Sequence, residues 1–206
     1  MPVPLEDLVR AVLIENDRGP KLHRAISDAW TTFAEVYPDR PRWRRKATRR
    51  NVFWEVAAEA IIAAVADDPG VRIIEHRDTV SILINDEVLL RLKHADRSLT
   101  TQNVPTGEAV QYDDHEIDLF GLSGIQRVRL CYVLDRYETE IAWIGIAAHF
   151  RGSFLWRIQL ESDSIVQAEP MIFEDAPTTD VRHLIRAKKP TDTETRDRDD
   201  KAEGNG

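Results

Sequence analysis

The sequence contains a single cysteine, Cys131, among 206 residues, so no internal disulfide bond can form. Nothing therefore links the chain to an oxidising compartment, and we expect a cytoplasmic protein. Cys131 lies within the strand-like run "RVRLCYVLD". This position predicts a buried structural thiol, because reactive thiols need electropositive and partly exposed surroundings.

Long apolar runs are also missing. No stretch approaches the roughly 18 to 20 apolar residues that a transmembrane helix needs. The first residues, "MPVPLEDLVRAVLIEND", contain two prolines and early acidic residues, whereas a signal peptide has a basic region followed by an apolar one. We therefore expect neither a signal peptide nor any association with a membrane.

The sequence also lacks the common catalytic and ligand-binding motifs. It has no G-x-S-x-G motif, no phosphate-binding glycine loop and no Cys/His pair at metal-ligand spacing. The acidic cluster around 113–118 lacks the glycine-containing pattern of a calcium-binding loop, which favours a solvated loop. The sequence thus predicts no metal site, no cofactor and no catalytic residues, and it favours a non-enzymatic protein without excluding an enzyme.

The apolar pattern that is present predicts helices first and strands afterwards. Apolar residues recur at helical spacing in "PLEDLVRAVLIEN", in "PKLHRAISDAWTTFAEVY" and again from about Thr48 to Val65, with "DRGP", "YPDRP" and "DDPG" as breaks. After Val71 the period changes, and six strand-like runs follow, three on either side of a long polar segment. The predicted fold is α+β, with N-terminal helices packed on a mainly antiparallel, about six-stranded sheet.

This pattern divides the chain into three predicted parts. Residues 1–38 form an N-terminal helical segment, and residues 39–186 form the α+β core domain. Residues 187–206 contain almost no apolar side chains and many charges, which predicts a disordered tail.

A run of seven basic residues without an acid extends from Arg40 to Arg50, although the net charge of the chain is -8. Six of them form what we call the basic segment: Arg42, Arg44, Arg45, Lys46, Arg49 and Arg50. Cations at the start of a helix oppose its dipole, so they need anions from elsewhere. Three interpretations remain open: pairing with acidic residues or solvation, contact with nucleic acid aided by stacking on Trp43 or Trp54, and docking to an acidic protein.

A second group of polar residues follows in the strand region. Arg91 and Lys93 are two residues apart in a strand and therefore share one face. They form either an internal salt-bridge site or a recognition patch. The second interpretation predicts that Arg91, Lys93, Asn103 and Thr106 cluster in one cleft.

A metal-dependent nuclease of the PD-(D/E)XK type is a further hypothesis. Such nucleases use a glutamate on a helix, then an aspartate and an acid-x-lysine pair on strands. Glu55, Asp78 and Lys93 follow this order, but Arg91 stands where the second acid is needed. A guanidinium cannot bind a divalent cation, so at most a degenerate, non-catalytic version of this core is expected.

The region from Trp43 to Leu160 resembles a family of largely uncharacterised bacterial, mainly actinobacterial, proteins. The resemblance lies in "RWRRKATRRNVFWE", "DDPGV", "VLLRLK", "QNVPTGEA", "GIQRVRLCYVLDRYETEIAWIGIAA" and "LWRIQL". Members of that family are often encoded beside helix-turn-helix proteins fused to an ImmA/IrrE-type metallopeptidase domain. The resemblance implies a regulatory or toxin-antitoxin-like gene pair, and it brings no catalytic residues.

These observations lead to two functional expectations. The first is a non-enzymatic cytoplasmic interaction protein, one component of a toxin-antitoxin-like or stress-response pair, which binds a protein partner through its helical half. The second is a nucleic-acid-binding protein with a degenerate PD-(D/E)XK nuclease-like core. Salt separates them, because binding to phosphates weakens steeply as the salt concentration rises.

Overall fold

The computed structural model describes residues 4–76, 79–101, 107–116, 124–163 and 165–166. Three helices come first, α1 (Glu6–Ile14), α2 (Arg18–Val36) and α3 (Lys46–Val65), and a short α4 (Gly107–Asp113) lies between the third and fourth strands. The strands are β1 (Val71–His76), β2 (Thr79–Ile84), β3 (Val88–Ala95), β4 (Gln126–Leu134), β5 (Ile141–Phe150), β6 (Ser153–Leu160) and β7 (Ile165–Val166). The predicted α+β fold class is confirmed. The sheet contains the two-residue β7 in addition to the six expected strands.

The strands form one sheet, in which their spatial order is the same as their order in the chain. Neighbouring strands are antiparallel except β3 and β4, which are parallel. A parallel pair needs a long connection that returns the chain to the same end of the sheet, and α4 lies in this connection. The register places Arg91 of β3 opposite Arg129 of β4.

The main hydrophobic core lies between the sheet and the first three helices. The apolar stripes of these helices pack with one face of the strands in a single buried cluster, which includes Val9, Leu13, Ile26, Phe33, Phe53, Ile61, Leu90, Leu92, Leu130 and Ile146. The other face carries a smaller cluster that contains Leu89 and Tyr112 of α4. Since side chains alternate along a strand, Arg91 and Lys93 lie on the face opposite to Leu90 and Leu92.

Two helix starts differ from the sequence prediction. Asn16 and Asp17 adopt left-handed backbone angles, and α2 begins directly afterwards at Arg18. Pro20 therefore lies in the first turn of α2 and does not separate the two helices; proline is tolerated there because its missing N–H has no helical partner. The third helix begins at Lys46, two residues before the expected start at Thr48.

The described helices and strands belong to one compact unit, Met1–Met171. Phe33 of α2 contacts Phe53 of α3, with 5.5 Å between the ring centroids. The predicted division after residue 38 stays a prediction, and the predicted tail at 187–206 lies outside the described residues. None of the described helices combines the length and the apolar character that crossing a membrane requires.

Candidate functional site

A cleft of about 450 Å³ opens where the N-terminal half of α3 meets the beginning of β2 and the end of β3. Its described lining consists of Ala47, Arg50, Asn51, Trp54, Glu55, Thr79, Arg91, Leu92, Lys93, His94 and Tyr132. The α3 residues recur three and four positions apart, so they lie on one side of the helix. The cleft therefore brings Arg50 of the basic segment together with the Arg91/Lys93 pair.

The cleft exists because β3 continues beyond its described pairing with β2. That pairing runs from Ile84 opposite Val88 to Ser81 opposite Arg91, while β3 extends to Ala95. At this open edge, the indole Nε1 of Trp54 donates a hydrogen bond to the backbone oxygen of Leu92, at 3.1 Å. This bond holds α3 against the edge of β3, beside the cleft.

Arg91 is buried, and its described contacts are not carboxylates. Its guanidinium lies over the ring of Tyr112, 4.2 Å from the centroid, and its Nε donates to Ser81 Oγ at 3.4 Å. The hydroxyl of Tyr112, with its one proton, lies within hydrogen-bonding distance of the backbone oxygens of Leu89 and Val128, at 2.9 and 2.8 Å. Arg91 is thus positioned by stacking on the ring of Tyr112, which is held by the backbone of β3 and β4.

Lys93 is half-buried beside other cations. Burial lowers the pKa of the Lys93 ammonium, and the nearby charges of Arg91 and Arg129 lower it further. An anion bound near Lys93 would reverse this effect, because an opposite charge favours the protonated amine. Lys93 and Arg91 do lie in one cleft, as the recognition interpretation predicts, whereas Asn103 and Thr106 lie outside the described residues.

Glu138, in the turn between β4 and β5, is the internal anion for half of the basic segment. Its side chain is only 4% exposed. Arg49 Nη2 approaches Glu138 Oε2 at 2.9 Å, while Arg50 Nη2 and Lys46 Nζ approach Oε1 at 2.7 and 3.2 Å. Burial raises the pKa of Glu138, but hydrogen bonds from Arg50 and Lys46 outweigh it, and the net pKa is lowered.

The other members of the basic segment face solvent. Arg42 pairs with the exposed Asp39 at 3.3 Å, a contact that contributes little because water screens both charges. Arg44 and Arg45 are exposed and form no ion pair within the described part of the chain. The first turn of α3 contains no acidic residue, and its N-cap, Arg45, makes no capping hydrogen bond through its side chain. Uncompensated positive charge therefore remains at the start of α3.

His94 also lines the cleft, but its ring adds no charge there at neutral pH. Burial lowers the pKa of His94 to about 4, and the charge of Arg50 lowers it in the same direction. Its ring packs edge-on against Tyr132, with 5.4 Å between the centroids. The ring is therefore neutral near pH 7.

Two of the three residues in the nuclease pattern line the same cleft. Glu55 and Lys93 both contribute to it, and Arg91 occupies the position of the missing acid. Asp78 lies outside the described residues, although its neighbour Thr79 lines the cleft. Among the described residues, no three or more His, Cys, Asp or Glu side chains are grouped so that they could hold a metal ion.

The acidic cluster around 113–118 has partners in its described part. Asp113 accepts two hydrogen bonds from Arg129, and Asp114 and Glu116 pair with Arg151 at 3.5 and 2.7 Å. Asp113 belongs to α4 and is largely buried, so it is not part of a solvated loop. Asp113 therefore neutralises Arg129, which lies opposite Arg91 in the pairing of β3 with β4.

The sequence did not predict that Glu138 pairs with the basic segment, or that Arg50 and Lys93 line the same cleft. Glu138 lies 88 positions after Arg50 and is surrounded in the sequence by turn residues, so no local pattern marks it. The only available signal was the excess of cations at a helix start, which requires an anion from elsewhere.

Comparisons with protein-family models, curated proteins and solved structures give no match. The function is inferred from the geometry of the cleft.

Proposed function

We propose that this protein binds nucleic acid, without catalysing a reaction on it, through the cleft and the exposed arginines at the start of α3. The observation that carries this proposal is that Arg91 and Lys93 line one cleft, together with Arg50, whose charge is shared with Glu138. Guanidinium and ammonium groups are the side chains that grip phosphate oxygens, and a half-buried cation binds an anion more strongly than an exposed one. Arg44 and Arg45, just before the cleft, extend this positive surface into solvent.

The composition of the cleft favours binding over hydrolysis. Among the described residues that line it, Glu55 is the one carboxylate. A phosphodiester is hydrolysed in this type of core by a divalent cation that several carboxylates hold, and Arg91 puts a positive charge where one of them is needed. We therefore propose the degenerate form of the nuclease-like core, in which Arg91, at the position of the missing acid, and Lys93 bind phosphate directly.

A protein partner in a regulatory gene pair is the second proposal, and it rests on the resemblance described above. The apolar stripes of α1, α2 and α3 are buried against the sheet, so they are occupied within the chain. A protein partner would instead bind the same positive surface through acidic side chains. Charge steering, not apolar contact, would then determine its association rate.

The direct test is fluorescence anisotropy with a labelled single strand of about 12 nucleotides, a length within the range of single-strand sites. Binding should weaken log-linearly with salt, by about 0.7 in slope for each phosphate contact. Lys93→Gln and the double variant Arg44→Gln with Arg45→Gln should each lower the affinity about tenfold or more and reduce the slope.

The matched control is Arg24→Gln with Arg72→Gln, which removes two exposed cations from α2 and β1, away from the cleft. This control should keep the affinity and the slope of the unaltered protein. An equal loss in the control would show that only net charge matters, and the proposal would fail. A strand that binds with no dependence on salt would also overturn it.

Affinity purification from the native host, with and without nuclease treatment, separates the two proposals. Nucleic acid in the bound fraction supports the first. A stoichiometric acidic protein that survives nuclease and is lost in the Arg44→Gln, Arg45→Gln variant supports the second and contradicts the first.

A further inference from the structure

Tyr137 is the most exposed large apolar side chain in the described part of the chain, with 74% of its surface accessible. It lies in the turn between β4 and β5, and this turn is rigid. The carboxylate of Asp135 accepts hydrogen bonds from the backbone N–H groups of Tyr137, Thr139 and Glu140. A turn held in this way presents the tyrosine ring to solvent at a fixed place, at the cost of exposing an aromatic surface.

The next residue, Glu138, connects this ring to the cleft. Glu138 binds Lys46, Arg49 and Arg50 of α3 at 3.2 Å or less, and Arg50 lines the cleft. Tyr137 is therefore one residue away from the carboxylate that the cations at the start of α3 share. The guanidinium of Arg136 is 5.9 Å from the centre of the Tyr137 ring and adds another positive charge.

The two tryptophans expected to stack on bases have other contacts. Trp43 packs edge-on against Phe33 and Tyr37, with centroid distances of 6.3 and 5.5 Å. Trp54 lines the cleft, but its indole is tied to the backbone of Leu92. Tyr137 is therefore the aromatic ring near the cations that offers a large open surface.

We propose that the cleft and Tyr137 together recognise single-stranded nucleic acid, with one base stacked on Tyr137 and the adjoining phosphates on the cations; this inference rests on the proposed function. Two observations select a single strand. The bases of a duplex are already stacked on one another, so their faces cannot reach an exposed ring. A cleft of about 450 Å³ also has the size of a small-molecule pocket, which suits a single nucleotide.

The test compares three DNA probes of equal length. They are a single strand, its duplex, and an abasic single strand, which keeps the sugars and phosphates but lacks the bases. The unaltered protein should bind the single strand most tightly. Tyr137→Ala should weaken this binding about 5- to 100-fold, because loss of one stacked base costs about that much. The same variant should not change the binding of the abasic strand, whose phosphates are intact.

Two controls define the role of the ring. Tyr137→Phe retains an aromatic face and should bind like the unaltered protein. Phe154→Ala removes another exposed aromatic side chain, on β6, and should have no effect. Tyr137 is largely exposed, whereas Phe154 is partly exposed and packs against the buried His149, so thermal melts should confirm that both variants are folded.

The outcomes distinguish this inference from the proposed function. If Tyr137→Ala binds all three probes as the unaltered protein does, while Lys93→Gln weakens them, the single-strand inference is wrong and the nucleic-acid function stands. The inference is also overturned if the duplex binds as tightly as the single strand. If no probe binds, or if only an acidic protein binds, the proposed function itself fails.

Discussion

Arg18 and Asp68 form a two-point ion pair: Arg18 Nε donates to Asp68 Oδ2 at 2.7 Å, and Arg18 Nη2 donates to Oδ1 at 2.9 Å. The side chains are 1% and 3% exposed. The pair joins the first residue of α2 to the turn before β1, so it connects the helical layer to the sheet. Asp68 also accepts a hydrogen bond from the backbone N–H of Gly70, at 2.9 Å.

Replacing Asp68 by Asn should lower the free energy of unfolding by about 3 kcal/mol, because the buried guanidinium of Arg18 loses its buried partner charge and keeps only that of the half-exposed Glu15, at 2.8 Å. Urea unfolding measures this loss. Asp86→Asn is the matched control, since Asp86 pairs with Arg72 at the surface and should have little effect. Equal losses in the two variants would contradict a special role for the buried pair.

The same pair predicts an acid dependence of stability. The hydrogen bonds from Arg18 lower the pKa of Asp68 from 3.8 to about 2. The unfolded chain therefore takes up a proton more readily than the folded one, and this contribution is complete above about pH 3.8 and lost as the pH falls through about 2. Urea unfolding between pH 2 and 5 should show a smaller pH dependence for Asp68→Asn than for the unaltered protein; identical curves would contradict the prediction.

Glu138→Gln should destabilise the protein by about 3 kcal/mol, because three cations of α3 lose the buried charge that they share. The nearby exposed Glu140 provides the matched control, Glu140→Gln, which should unfold like the unaltered protein. The thermal melting temperature checks both variants. A stable Glu138→Gln variant would mean that the cations of α3 are satisfied by solvent.

Gly145→Ala should destabilise the protein by about 1 to 3 kcal/mol through overpacking. A Cβ atom at this position would overlap the backbone oxygen of Ile158 on β6 and the indole ring of Trp143. Backbone cannot move aside as a flexible side chain can. Gly107→Ala, where a Cβ meets no atom within 4 Å, should leave the urea midpoint unchanged or slightly raised, and a similar loss there would refute the steric explanation.

Cys131 should react slowly with a thiol reagent in the folded protein and rapidly once urea unfolds the chain. The side chain is fully buried, and burial raises the pKa of the thiol to about 12. Very little thiolate, the reactive form, is therefore present at neutral pH. The rate of colour release by an aromatic disulfide reagent measures this difference, and fast reaction without denaturant would show that the site is open.

Periodicity was sufficient to predict most of the elements. In β4, for example, alternate residues pack in the main core: Val128, Leu130, Tyr132 and Leu134. The parallel pairing of β3 with β4 was not predicted, because alternation along a strand is the same for both directions of pairing. The predicted start of α2 was wrong for a similar reason, because Pro20 can either end one helix or begin the next.

The candidate site was predicted in separate pieces. The basic segment and the Arg91/Lys93 pair each stood out by composition and spacing, but nothing in the sequence placed them together. Their meeting depends on how α3 lies against the open edge of β3, and a hydrogen bond from Trp54 to the backbone of β3 contributes to that placement. No sequence pattern shows which backbone oxygen will accept such a hydrogen bond.

The sequence by itself determined the α+β class, the order of the elements and the presence of unusual positive charge near the third helix. Short-range patterns suffice for these properties, because they depend on residues a few positions apart. The tertiary structure decided which charges remain available: Glu138 occupies Lys46, Arg49 and Arg50, while Arg44 and Arg45 stay exposed. Electrostatic energy depends on distance in space and on burial, and only the folded chain defines both.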